Sequence, residues 1–145
     1  MLTLPRRGRR ARLVAVIYGV IVFVWLSPED FTVWPVVVLG GGLAGLTITL
    51  WLMGRLGGRT LSARWVTLGG VLWGAAIGLG TSLTAVALMF FKDALHAHLF
   101  PDYPPGLMLA ILRRAPFWTL AGALAGLGLV LVWLAARGNS AQGAS

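Results

Sequence analysis

The chain has no cysteine, only four acidic residues, and charged residues at just 11% of its 145 positions. The first absence excludes a disulfide scaffold, thiolate catalysis, iron–sulfur ligation and every cysteine-based zinc site. The scarcity of charge excludes an ordinary soluble domain, which carries about 25% charged residues. A hydrophobic content of 58% and a mean hydropathy of +0.85 place the chain in a lipid bilayer instead. Its length accommodates one domain, residues 1–145.

Ionisable residues are also missing from four long stretches, Leu13–Pro28, Phe31–Gly54, Trp65–Phe91 and Ala115–Ala136. A helix needs about 20 apolar residues to cross the hydrocarbon. The sequence therefore predicts an all-α integral membrane protein with four transmembrane helices over about 11–27, 31–54, 65–91 and 115–136. The first span borrows Ala11 and Arg12, the arginine stem snorkelling to the interface. The third, with 27 residues, is about 40 Å long as a helix and must tilt or project beyond a hydrocarbon core of about 30 Å. Runs this apolar lack the alternation of a membrane barrel. Proton relays, ion-coupled carriers and voltage sensors place ionisable groups at depth; these spans have none, which argues against a pump, and against a cytochrome for want of ligands.

Arg6, Arg7, Arg9, Arg10 and Arg12 precede an apolar run, as in a secretory signal, but the run ends Trp25-Leu26-Ser27-Pro28 rather than in small residues. It reads as an uncleaved first helix. Nine of the twelve basic residues fall in the segment 1–12, between spans two and three (Arg55, Arg59, Arg64), or after span four (Arg137), whereas Glu29, Asp30, Asp93 and Asp102 all fall on the opposite side. The positive-inside rule puts both termini in the cytoplasm, with a basic segment 1–10 and a flexible tail 138–145 there. Trp25, Trp34 and Trp118 mark the outer ends and Trp51, Trp65 and Trp133 the inner ends, as a double aromatic belt. The formal charge of +8 reads as topology determinants beside anionic lipid; no nucleic-acid module is recognisable, so nucleic acid is not an expected partner.

Ser27-Pro28-Glu29-Asp30 has the form of a helix start, with Ser27 as N-cap and Pro28 at the first position. Spans one and two then form a tight hairpin, and Pro35, past the first turn, is expected to kink span two. Pro35-x3-Leu39-x-Gly41-x-Leu43-Ala44-Gly45-Leu46 matches Pro116-x3-Leu120-x-Gly122-x-Leu124-Ala125-Gly126-Leu127 at a constant offset of 81, and Ala11-Arg12 matches Ala63-Arg64 at 52. The pattern is that of a parallel 2+2 repeat of helical hairpins with an enlarged second outer loop; chance coincidence of Leu, Ala and Gly is the alternative. Gly41-xxx-Gly45, Gly70-xxx-Gly74-xxx-Gly78 and Gly122-xxx-Gly126 each place small residues on one stripe, where close backbone approach drives helix association in lipid. The first span has no such stripe and is expected to face lipid or a larger neighbour. Trp73 is too deep for the belt and reads as a packing residue.

Chemistry is confined to the outer loop, 92–114. Helix three is expected to run on to about Leu99, Pro104-Pro105-Gly106 to break the chain, and Leu107–Leu112 to lie as a short interfacial segment before Arg113 and Arg114. His96-x-His98-x3-Asp102 offers imidazole and carboxylate to zinc, copper or nickel, although two residues apart on a helix point about 200° from each other. The alternative is an interfacial helix end with His96 paired to Asp93 and His98 capping or solvated. Thr81-Ser82-x-Thr84 reads as hydroxyls returned to helix carbonyls. No catalytic constellation and no cofactor motif is visible, so the chain is expected not to be an enzyme and to carry no cofactor. The sequence points to a multi-pass protein of a prokaryotic cytoplasmic membrane, acting as a non-catalytic subunit or scaffold packed onto other membrane subunits or copies of itself. Its alternative is a transport component, working as an oligomer with His96, His98 and Asp102 at an outer mouth.

Overall fold

The computed structural model describes residues 2–3, 8–27, 32–96 and 102–142. The described residues form five helices: α1 Arg9–Leu26, α2 Val33–Leu56, α3 Ala63–His96, α4 Pro105–Arg113 and α5 Ala115–Gln142. Two short strands, β1 Leu2–Thr3 and β2 Thr60–Leu61, pair antiparallel. Among the described residues the protein is all-helical apart from that ribbon. By length and composition α2, α3 and residues Ala115–Ala136 of α5 suffice to cross a membrane. The 18-residue α1 is shorter and carries Arg9, Arg10 and Arg12 within its first turns.

Helix α3 is the axis of the fold, packed along α2 on one side and α5 on another, with α1 applied to the flank of α2. Close approach explains both large contacts. Where Gly40 of α2 crosses α3, an added Cβ would stand 2.7 Å from the Ala85 nitrogen, and one on Gly80 would stand 2.9 Å from the Ala44 Cβ. On the other side Gly74 and Gly122 meet through their backbones, flanked by Gly70 against Gly126 and Gly78 against the Trp118 carbonyl. Without a hydrophobic drive between helices in lipid, such backbone contact is what holds them. Gly41 meets the Thr81 side chain, Gly45 touches Ile77 only loosely, and Gly42 leaves room for the Tyr18 ring of α1. The positions aligned by the sequence offset of 81, Gly41 with Gly122 and Gly45 with Gly126, thus all face α3. The backbone seam between α3 and α5 has no counterpart between α1 and α2 among the described residues.

Several boundaries differ from the sequence expectation. Ser27 ends α1, its N–H donating to Val24 O, rather than starting α2; Thr32 occupies the N-cap of α2. Pro28, Glu29 and Asp30, the rest of the expected helix start, lie outside the described residues. With Val33 as first residue, Pro35 falls inside the first turn of α2, where its missing N–H has no partner to lose and no kink need follow. Pro105 opens α4 instead of merely breaking the chain, since its fixed φ suits the first helical position. The tail expected to be flexible over 138–145 is helical as far as Gln142. Helix α3 is described to His96; residues 97–99 of the expected extension lie outside the described residues. Between α2 and α3 the chain turns at Gly57-Gly58, and Gly58 has a φ of 86°, a left-handed conformation that a side chain would strain.

The three tryptophans assigned to one outer belt do not share a level. Trp118 lies against Gly78, whereas Trp25 stands over Lys92, fourteen residues and about 21 Å further along α3. Helix α5 therefore starts well short of the end of α3, and α4 covers the stretch left over. The buried core sits there: Val36, Ala85, Leu88, Met89, Tyr103 and Ile111 form one cluster of α2, α3, α4 and the loop before α4.

Candidate functional site

The ionisable side chains at the loop end of α3 come together with aromatic ones. Lys92 occurs in the last turns of α3, after Phe90 and Phe91, and its side chain is fully buried. Its Nζ lies 4.4 Å from the centroid of the Trp25 ring of α1 and 5.9 Å from that of Tyr103. A buried ammonium is tolerated only where other groups replace its water; here two ring faces supply part of that replacement. Tyr103 is itself fully buried, and its backbone N–H donates to Asp93 Oδ1 at 3.1 Å. Asp93, one residue after Lys92 on α3, thereby pins the returning loop to the helix.

His96, one turn beyond Lys92, has Nδ1 3.1 Å from the Lys92 carbonyl. A carbonyl only accepts, so Nδ1 carries a hydrogen in this contact. The same Nδ1 lies 3.6 Å from Asp102 Oδ2. The loop thus brings His96 to Asp102, whereas the expected partner, Asp93, is engaged by Tyr103. The Asp102 side chain is 5% exposed, and its Oδ2 and the Trp25 Nε1 have no hydrogen-bond partner among the described residues. His98, the third candidate ligand, lies outside the described residues. Among the described residues no three histidines or acids converge as a metal site.

No family model, curated protein or solved structure matches the chain. The geometry is therefore the basis for reading this cluster. It joins α1, α3 and the loop before α4 through one caged cation, one carboxylate-to-backbone hydrogen bond and one imidazole–carboxylate contact.

Deeper along α3 the hydroxyls divide into two kinds. Thr81 Oγ1 donates to Ile77 O at 2.8 Å, the local return expected from sequence. Thr84 Oγ1 lies 2.6 Å from both Gly80 O of its own helix and Gly40 O of α2, so it also links two helices. Ser82 Oγ is buried without a partner among the described residues, beside a small cavity of about 60 Å³ bordered by Arg114 and Trp118. Trp73 donates from Nε1 to Thr49 Oγ1 at 3.0 Å.

The sequence reading paired His96 with Asp93 and missed the burial of Lys92 and the part played by Tyr103 and Trp25. One signal was present. Lys92 is the single lysine in a chain that otherwise uses eleven arginines.

Proposed function

We propose that this chain is a non-catalytic subunit or scaffold of a prokaryotic cytoplasmic membrane, crossing it four times as two hairpins with both termini inside. The observation that carries this reading is the state of its ionisable cluster. Lys92 is buried between rings, Asp93 holds the Tyr103 amide, and His96 is committed to the Lys92 carbonyl. Those groups are used in joining elements of the fold rather than presented to a substrate. Helix α1 supports the same reading, because Val16, Val20, Phe23 and Val24 are all more than half exposed, leaving an apolar flank for lipid or another subunit. The glycine stripes on α3 and α5 face each other, so contacts with other subunits fall to α1 and the outward faces of α2 and α5.

A second reading, a transport path completed by oligomerisation, draws on Asp102 Oδ2, which is buried beside His96 without a hydrogen-bond partner among the described residues.

The two separate experimentally. Gentle solubilisation followed by sizing should recover the chain in a larger assembly, and cysteines placed at Val16 or Phe23 should cross-link within it. A chain that always elutes alone as a monomer overturns the scaffold reading. Solute flux into proteoliposomes that disappears in Asp102→Ala would establish the transport reading in its place.

A further inference from the structure

An open cleft lies at the opposite end of the bundle, between the last turns of α2 and the first turns of α3. It has a volume of about 250 Å³ and is bordered by Thr49, Leu56, Leu61, Trp65, Gly69 and Trp73 among others. Thr49 Oγ1 at its wall is engaged, accepting from Trp73 Nε1. The rest of the lining is almost wholly apolar and complementary to hydrocarbon.

Gly69 is the telling residue. Glycine in a helix interior costs stability relative to alanine, and most glycines of α3 offset that cost through close helix contact. Gly69 does not: a Cβ there would meet nothing within 4 Å. Its missing side chain leaves the cleft open instead. Basic residues stand beside the lining in sequence. Arg59 immediately precedes β2, which contributes Leu61, and Arg64 immediately precedes Trp65; both arginines are exposed. Arg55 is turned elsewhere, over the Trp51 ring at 5.6 Å.

We propose that this cleft seats an acyl chain of an anionic phospholipid, with Arg59 and Arg64 receiving the headgroup. The inference rests on the membrane reading above, with the arginine-rich end at a headgroup surface. An apolar slot for the chain, and exposed arginines next in sequence to its lining for the phosphate, are complementary to that one class of molecule. A neutral lipid would use only the slot, and a helix from a second copy would bring no charge for the arginines.

The test uses the full chain in detergent, exposed to an equimolar mixture of phosphatidylglycerol and phosphatidylcholine, stripped by detergent exchange and weighed intact by native mass spectrometry. The wild type should keep a single phosphatidylglycerol. Gly69→Leu, whose Cβ meets nothing within 4 Å and whose longer side chain occupies the cleft, should abolish retention while its helicity by circular dichroism is unchanged. Arg59→Gln and Arg64→Gln should each lower the preference for phosphatidylglycerol over phosphatidylcholine by about fivefold. In parallel, phosphatidylglycerol brominated on its acyl chains should quench a larger share of wild-type than of Trp73→Phe emission. Retention unaltered in Gly69→Leu, equal retention of the two lipids by the wild type, or equal quenching with and without Trp73 overturns the proposal. So does a dimer that Gly69→Leu dissociates with no change in bound lipid. Failure of the wild type to float with vesicles overturns the membrane reading as well, and so marks the two failures apart.

Discussion

Lys92 Nζ stands 4.4 Å from the centre of the Trp25 ring, so the end of α1 is fastened to the end of α3 by a cation against an aromatic face. A desolvated contact of this kind contributes about 2 kcal/mol. Trp25→Ala should therefore lower the thermal unfolding midpoint in detergent clearly, and Trp25→Phe, which keeps a ring face, should lower it less. Equal losses in the two variants would show that a phenyl face does not replace the indole and would overturn the ring-face account of the contact.

Asp93 accepts the Tyr103 amide hydrogen at a fully buried residue. Asp93→Ala strands that N–H, at a cost of about 1–3 kcal/mol. Asp93→Asn keeps an acceptor and should recover most of the loss. Thermal unfolding of the two variants, compared under one detergent, checks the order.

Gly122 and Gly74 occupy each other's Cβ positions. Gly122→Leu should separate α5 from α3 and abolish a cooperative unfolding transition. Gly19→Ala, Gly54→Ala and Gly128→Ala meet open space and should leave stability unchanged or raise it, by up to about 1 kcal/mol each. A melting series over these four variants distinguishes seam glycines from the rest.

Thr84 reaches Gly40 O across the α2–α3 contact, and Tyr18 donates to Leu39 O at 2.6 Å across the α1–α2 contact. Interhelical hydrogen bonds in bilayers average about 0.6 kcal/mol, so Thr84→Val and Tyr18→Phe should each cost about that much. Their sites share no partner, and the double variant should show the sum. A marked excess in a double-mutant cycle would reveal that α1 and α3 are coupled through α2.

The absence of cysteine makes the membrane orientation directly measurable. Gly106→Cys, in α4, should react with an impermeant maleimide on intact cells, and Ser62→Cys, between β2 and α3, only after permeabilisation. Both sites are exposed. The reverse pattern would invert the orientation proposed above.

Helices α2, α3 and α5 were readable because each contains a long run free of charge, and backbone groups in such a run have no partners except one another. Positions 41, 45, 70, 74, 78, 122 and 126 were also readable as candidate packing positions from their four-residue spacing. Their partners were not: nothing in that spacing pairs Gly74 with Gly122 or leaves Gly45 in loose contact with Ile77. At the loop end, a period-based argument linked His96 to Asp93, one turn apart. The return of the chain toward α4 set Asp102 beside His96 and gave Asp93 to Tyr103 instead. Loop closure is not periodic, so no spacing rule could foresee it.

Composition alone determined that the chain is helical and apolar enough for a bilayer, because charge-free runs of twenty residues have few other stable forms. Only the packed molecule decided that α3 is the axis, that α5 begins well short of the Lys92 level, and that a lone lysine ends between two rings. Those outcomes depend on which backbones can approach and which polar groups must find partners once water is gone, and both are properties of several segments together.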